Sequence, residues 1–227
     1  MDELAHGSEC YGCSACCVSC PVNAITMTVD EKGFRYPEIN LEQCIHCNKC
    51  IKACQRVHSP NKNGEYLYVC AMQHKSLDVL KLCSSGGAFV ALSDYILSSG
   101  GVVVGAVFDP ELKKVVHRIA HTVAERNKMC GSKYVQSDIS DILLKTKEEV
   151  STGKLVLFTG TPCQVSALKA FLENKDYDNL YTIDVICHGV PSPKVFVSYI
   201  EYQEKKHSSS IKDYKFRSKK YGYEYTT

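Results

Sequence analysis

The chain has almost no excess of charge of either sign: 27 lysines and arginines stand against 25 aspartates and glutamates, for a formal charge of +2. That balance gives no reason to expect a nucleic-acid partner. Long apolar runs are also lacking. The stretch VVVGAVF is far too short to span a bilayer, so no membrane span is expected. The start, MDELAHGSEC, has neither a basic n-region nor an apolar h-region, so it does not read as a signal peptide, and a cytoplasmic location is expected. G-x-G-x-x-G and Walker-type loops are absent, so an ordinary dinucleotide-binding or P-loop fold is not supported.

Against these absences stand 14 cysteines. A disulfide framework on that scale suits small secreted chains. In a cytoplasmic chain thiols stay reduced and serve metals or catalysis. Cys10, Cys13, Cys16 and Cys20-Pro21 give C-x2-C-x2-C-x3-C-P, and Cys44, Cys47, Cys50 and Cys54 repeat the spacing. Zinc sites are usually built from separated C-x2-C pairs around one tetrahedral ion. Three thiols at intervals of three instead wrap three irons of a cube, and the fourth cysteine of each run serves the other cube. The expected sets are therefore Cys10, Cys13, Cys16 and Cys54 for one [4Fe-4S] cluster, and Cys44, Cys47, Cys50 and Cys20 for the other. Cys17 lies in a spacer and is the spare thiol. His46 finds no vacancy. Cys54 is followed by Gln55 where the motif often has Pro, so a slightly altered turn is expected there. Between the runs, MTVDEKGFRYPEI reads as a hairpin covering the clusters, with turn signals at Asp30–Gly33 and Pro37. This unit should end near HSPNKNGE, giving a ferredoxin-type domain over residues 1–62.

Residues 63–227 read differently. Ser84-Ser85-Gly86-Gly87 opens a helix over AFVALSDYIL. VVVGAVF is a buried strand with KVVHRIA as its hairpin partner. Thr122–Glu125 is a capping box. A longer helix follows over DILLKTKEEV. Strand KLVLFTG leads to Thr161-Pro162-Cys163 and helix QVSALKAFL. Strand LYTIDVI leads to Cys187-His188-Gly189 and helix PKVFVSYIEYQEKK, and IKDYKFR reads as a last strand. Strands alternating with long helices predict an α/β domain with a mainly parallel sheet. The fold class expected for the whole is thus an α+β dicluster ferredoxin module followed by an α/β domain. Ligands of open α/β sheets bind where strands end and helices begin.

The ordered set SSGGAF, GVVVGAVFD, GSKYVQSD, VLFTGTPCQVSALKAFL and TIDVICHGVPSP, behind a dicluster ferredoxin, resembles the coenzyme F-420 hydrogenase/dehydrogenase beta-subunit family. The resemblance covers nearly all the chain. It implies a flavoprotein, typically with FAD, that exchanges electrons between a two-electron carrier, often a deazaflavin coenzyme, and one-electron centres. Carried over by motif, the flavin-site candidates are Ser85, Gly86 and Gly87; Gly131, Ser132 and Lys133; Gly160, Thr161, Pro162 and Cys163; and Cys187, His188 and Gly189. Lys133 would pair with a phosphate or a reduced flavin's anion, and His188 would shuttle a proton. Cys163 and Cys187 match family positions, whereas Cys83 and Cys130 depart from them; the four together would suffice for a third cluster. Cys70 reads as a small core residue. The family normally continues past FRSKKYGYEYTT, so the resemblance also suggests a C-terminally truncated domain. The reading is an iron–sulfur flavoprotein oxidoreductase, with a redox partner protein or small electron carrier, or membership of a larger complex, as its context. The rival is a non-catalytic electron-transfer subunit that carries the clusters without a working flavin.

Overall fold

Residues 4–5, 7–57 and 68–217 are described in this computed structural model. The expected boundary near HSPNKNGE lies outside the described residues. The cysteine-rich unit is built from two short helices and one ribbon. Helix α1 (Ala15–Val18) precedes strands β1 (Ile25–Val29) and β2 (Arg35–Ile39), and α2 (Lys49–Lys52) follows. The ribbon pairs Ile25 with Ile39 and Val29 with Arg35. Pro37 lies inside β2 opposite Met27 rather than in a turn. A two-stranded ribbon has only edges, where a strand tolerates the missing N–H of proline. The Asp30 carboxylate closes the turn by accepting from Phe34 N at 2.8 Å.

Helix α3 (Leu77–Leu82) opens the second unit, capped by Ser76. It was not foreseen, because its sequence carries no sustained 3.6-residue pattern and none of its residues is buried. Helix α4 (Ala88–Ser98) follows the double glycine as expected. Strands β3 (Val102–Asp109) and β4 (Lys114–Ala120), helices α5 (Val123–Asn127) and α6 (Ser140–Ser151), strand β5 (Val156–Gly160), helix α7 (Pro162–Phe171), strand β6 (Leu180–Asp184) and helix α8 (Pro193–His207) complete the order. The sheet order is β4-β3-β5-β6. β3–β4 is antiparallel, while β3–β5 and β5–β6 are parallel, so the sheet is mixed. β6 stops at Asp184, short of the LYTIDVI reading, and Ile186 is 91% exposed. IKDYKFR forms no strand. Ile211, Tyr214 and Phe216 instead join an aromatic cluster with Phe108 and Phe196, where Phe196 and Tyr214 rings meet at 5.2 Å. Alternation of apolar residues suits either arrangement, and burial against α8 wins. Among the described residues no helix is long and apolar enough to cross a membrane.

The sheet has a core on each face. Val102, Val104, Val156 and Phe158 point toward α6 and α7; Val103 and Leu157 point toward Ile96 of α4. Ala15 and Ala53 of the cysteine-rich unit are buried in the first of these cores. Small side chains let α1 come close to α6 and α7. Around this apolar seam runs a polar one. The Gln136 amide donates to Tyr11 O at 2.7 Å, and Lys194 Nζ donates to Glu31 O at 2.9 Å. A Cβ on Gly33, whose φ is +89°, would overlap Lys194 Cβ at the start of α8.

Asp138 anchors the seam. Its backbone extends β4, accepting from His117 N and donating to Val115 O, while its carboxylate binds Arg35 of β2 and lies 3.6 Å from Lys114 Nζ. Burial raises the carboxyl's pKa, but the hydrogen bonds from Arg35 and Ser140 outweigh it and hold the group well below the usual carboxylate range. A depressed folded value means stabilisation that is present above the unfolded value and lost as pH falls through the folded one. Asp138→Asn should therefore cost about 1.5–3 kcal/mol at pH 7, the worth of hydrogen bonds to a charged group. Urea unfolding of both proteins checks this: the gap should hold steady from pH 7 to 5 and begin to close at pH 4. An equal midpoint at pH 7 would show that the pair carries no docking energy.

Candidate functional site

The two cysteine runs fold alike, residue for residue. Gly12 and Ser14 have φ of 61° and 64°; His46 and Asn48, at the matching places, have 53° and 58°. The helices then end alike, at Ser19 (φ −80°, ψ −8°) and Ala53 (φ −81°, ψ −7°). Left-handed residues spaced this way turn successive amides inward, the arrangement that receives negative groups. Gly12 N donates to Cys10 Sγ at 3.3 Å, and Ala24 N to Cys20 Sγ at 3.2 Å. Neighbouring amides, of Ala15, Cys17 and Ile51, likewise oppose the rise that burial gives the pKa of Cys13, Cys16 and Cys50. His46 thus contributes its backbone conformation and leaves its ring exposed.

The thiols fall into groups. Burial raises the pKa of Cys10, Cys13 and Cys16, and repulsion from Cys54 adds to all three. Cys50 is raised by burial and then by Cys47 and Cys44. Cys20 packs in one cluster with Cys16, Cys50 and Cys54. Cys54, of the second run, thus lies near enough to the first run's thiols to act on all three. All 14 cysteines carry free thiols. Cys17 donates its thiol hydrogen to Ile25 O at 2.9 Å. Among the described residues no three His, Cys, Asp or Glu side chains are close enough to share one ion. A cubane makes a different demand, placing each thiolate on its own iron. Amide donors aimed at the sulfurs, and thiols that burial and repulsion leave in need of positive charge, fit such a group.

The four carried-over loops meet in pairs. Ser132 N donates to Ser84 Oγ at 2.7 Å, joining the loop of Ser85, Gly86 and Gly87 to that of Gly131, Ser132 and Lys133. Val185 N donates to Gly160 O at 3.1 Å, joining the loop of Gly160, Thr161, Pro162 and Cys163 to the segment leading to Cys187, His188 and Gly189. Gly105 of β3 links the pairs: a Cβ there would stand 3.0 Å from both Met129 Sδ and Thr159 Oγ1. Ser85, Ser132, Pro162, Cys187, His188 and Gly189 are exposed. Gly189 N donates to Cys187 Sγ at 3.4 Å.

Two candidates are occupied by the protein itself. Lys133 Nζ donates to the carbonyls of Lys128, Met129, Cys130 and Gly131 at 2.7–3.3 Å, stapling the end of α5. Burial lowers its pKa to about 8. At Gly86 a Cβ would lie 2.6 Å from Met72 O, so its bareness serves a close approach by the chain's own backbone. Of the four thiols considered for a third cluster, Cys83 and Cys130 touch; burial and then Cys83 raise Cys130 to about 11. Cys163 instead faces Thr161 Oγ1 at 3.1 Å. Cys70 is exposed, not a core residue.

Several structuring residues were missed. His117 is buried, stacks on Phe158 at 5.6 Å and donates Nε2–H to Thr159 O at 2.9 Å. Burial lowers its pKa to about 4, so the ring is neutral at pH 7. Gln164 accepts from Thr161 N at 3.0 Å and donates to Ser137 Oγ at 2.8 Å, fixing the start of α7. Gln55, 8% exposed, donates to Cys163 O at 2.6 Å. In sequence these are single polar residues without a motif; only the departure from Pro at position 55 was a signal.

Comparison with known proteins follows the same division of the chain. The chain is 24% identical over 201 residues to an uncharacterized protein of Methanocaldococcus jannaschii, covering 76% of this chain and 55% of the relative. It is 30% identical over 53 residues to the ketoisovalerate oxidoreductase subunit VorC of Methanothermobacter marburgensis, covering 22% of this chain and 67% of that subunit. Among solved structures, a chain of the F420-reducing [NiFe] hydrogenase complex from Methanosarcina barkeri matches with a TM-score of 0.46 at 26% identity, over 57% of this chain and 47% of that one. The chain thus spans about half the length of the first relative and of that solved chain. The 4Fe-4S dicluster domain matches residues 9–56, and the C terminus of the coenzyme F420 hydrogenase/dehydrogenase beta subunit matches residues 153–227. With its cysteine loops and its loop-bearing sheet in that order, the chain carries a 4Fe-4S dicluster domain at its N-terminus and, over residues 153–227, is similar to the C terminus of the coenzyme F420 hydrogenase/dehydrogenase beta-subunit family.

Proposed function

We propose that this chain is an iron–sulfur flavoprotein oxidoreductase that passes electrons between FAD and two [4Fe-4S] clusters, working in the cytoplasm with a redox partner protein or small carrier. Cys10, Cys13, Cys16 and Cys54 hold one cluster; Cys44, Cys47, Cys50 and Cys20 hold the other. The domain division is at about residue 62. The observation that carries the reading is the packing of the cysteine-rich unit against α7: Gln55, next to Cys54, donates to Cys163 O, and Ala15 is buried with Val165 and Leu168. Electron transfer needs its centres close, and a cluster in the first run would lie near the start of α7, where ligands of α/β sheets bind, which supports the reading. FAD, when bound, exchanges electron pairs with a carrier and single electrons with the clusters. On the protein's side, the α4 start after Gly87 and the Ser132 loop offer backbone amides to a pyrophosphate, and exposed His188 is placed to move a proton. A deazaflavin carrier and assembly into a larger complex accord with the family model and with the oxidoreductase subunit it matches.

A second reading, the electron-transfer subunit without flavin, is favoured by the engaged Lys133 ammonium and the closed face of Gly86. Anaerobic titration with FAD, read by flavin fluorescence quenching, separates the two. The flavoprotein reading expects binding near one FAD per chain, weakened about tenfold by Ser132→Glu, which sets a carboxylate against the phosphates at a cost of about 1.4 kcal/mol. A chain that holds iron but shows no affinity in excess FAD is the electron-transfer subunit.

A further inference from the structure

We infer that electrons enter or leave the chain at the second cysteine run, and that the exposed face around it, formed by Val22, Leu41, Ile45, Lys49 and Lys52, docks an acidic one-electron carrier protein. The inference rests on the cluster reading above and gives it a place of exchange and a class of partner. The two runs share a backbone course but not an environment. Ser14 and Ala15 of the first run are 2% and 0% exposed, and Cys16 is buried. Asn48 and Lys49, at the matching places of the second run, are exposed, and so is Cys47. Packing makes the difference: Ala15 enters the core shared with α6 and α7, whereas a lysine stands at its counterpart. A cluster held by the first run is covered by the α/β unit on that side, and one held by the second run reaches the surface at Cys47. Electron transfer needs its centres close, so the second cluster is the one a protein carrier can approach.

The surface there has the composition of a contact face. Leu41 and Ile45, on either side of Cys44, are 73% and 59% exposed. Val22 is exposed just after Cys20, and Asn40 N donates to Ala24 O at 2.8 Å, which holds the chain after Cys20 against the chain before Cys44. Apolar side chains left in water around one spot mark an interaction site more than a packing need. Charge then selects the partner. Residues 10–20 hold no charged side chain, while residues 44–54 hold Lys49 and Lys52, both exposed, and no acid; Glu42 is the nearest acid in sequence. Cations at the rim of an apolar contact steer an acidic partner toward it and set the salt dependence of encounter. A cluster passes electrons singly, so that partner is a one-electron carrier.

Two measurements on anaerobically reconstituted protein test this. Electron paramagnetic resonance with a dissolved dysprosium chelate reads which cluster lies near solvent. The signal lost in Cys47→Ser should relax faster when the chelate is added, and the signal lost in Cys13→Ser should change little. Stopped-flow mixing with a reduced two-cluster ferredoxin of acidic surface reads docking. Lys49→Glu combined with Lys52→Glu should slow the exchange about tenfold at low salt and flatten its salt dependence, and Ile45→Gln should slow it at every salt concentration. These variants should keep the wild-type iron content, and reduced methyl viologen, a small cation that needs no docking face, should not be slowed in any of them. A first-run signal that relaxes as much as the second overturns the order of the two clusters and with it the proposal. Ferredoxin exchange that is absent in the wild type, or unchanged in iron-replete variants, overturns the docking face and leaves the cluster reading intact. So does slowing confined to variants that have lost iron. Wild-type protein that takes up no iron overturns the cluster reading and this inference with it.

Discussion

Cys54→Ser is expected to remove about four of about eight irons per chain, and the cluster lost should be the one seated by the N-terminal run. The spacing rule crosses Cys54 over to Cys10, Cys13 and Cys16, and repulsion from Cys54 adds to the raised pKa of each of the three, in keeping with that expectation. Cys13→Ser and Cys54→Ser should therefore delete the same spectroscopic signal, and Cys47→Ser a different one. Cys20→Ser should join the Cys47 class, since the fourth cysteine of each run serves the other cube. Cys17→Ser should leave the iron unchanged, because that thiol is bonded to Ile25 O. Iron and sulfide analysis with electron paramagnetic resonance on the variants checks the grouping. If Cys54→Ser and Cys47→Ser lost the same signal, the crossed assignment would be wrong.

Stripping the iron should lower the thermal stability of the entire chain, not of the first 57 residues alone. Ser14, His46 and Asn48 hold left-handed backbone conformations. Each costs an L-residue about 1–2 kcal/mol. Such strain persists only where the surroundings impose it, and thiolate–iron bonds are what would impose it here. Without them the loops relax, and Ala15 and Ala53 leave a core they share with Val104, Leu143, Phe158 and Leu168. Losing several kcal/mol at about 2–4 °C each for a domain of this size gives a fall on the order of 10 °C. Calorimetry on iron-loaded and chelated protein should show one transition moving down as a whole. A main transition that stays in place, with only a small early step lost, would mean the two units are energetically separate.

The cysteine spacing by itself determined the identity of the cluster unit, because a local repeat encodes a local loop: C-x2-C-x2-C-x3-C bends the same way twice, with Gly12 and His46 in one role and Ser14 and Asn48 in another. The alternation of apolar runs with amphipathic stretches likewise determined β3, β5 and β6 and the helices α4, α6, α7 and α8, since periods of 2 and 3.6 residues are visible one segment at a time. The same periods misled at IKDYKFR, where alternation was satisfied by an aromatic cluster on α8 instead of a ladder. Tertiary structure alone decided how the units join. Gln55 meets Cys163 across 108 positions, Arg35 meets Asp138, and Ala15 enters a core built by α6 and α7. It also decided that Lys133 turns inward to four carbonyls and that His117 stays neutral beneath Thr159. A polar side chain has no period to betray its partner; its role follows from which donor and acceptor the fold brings within about 3 Å and shields from water.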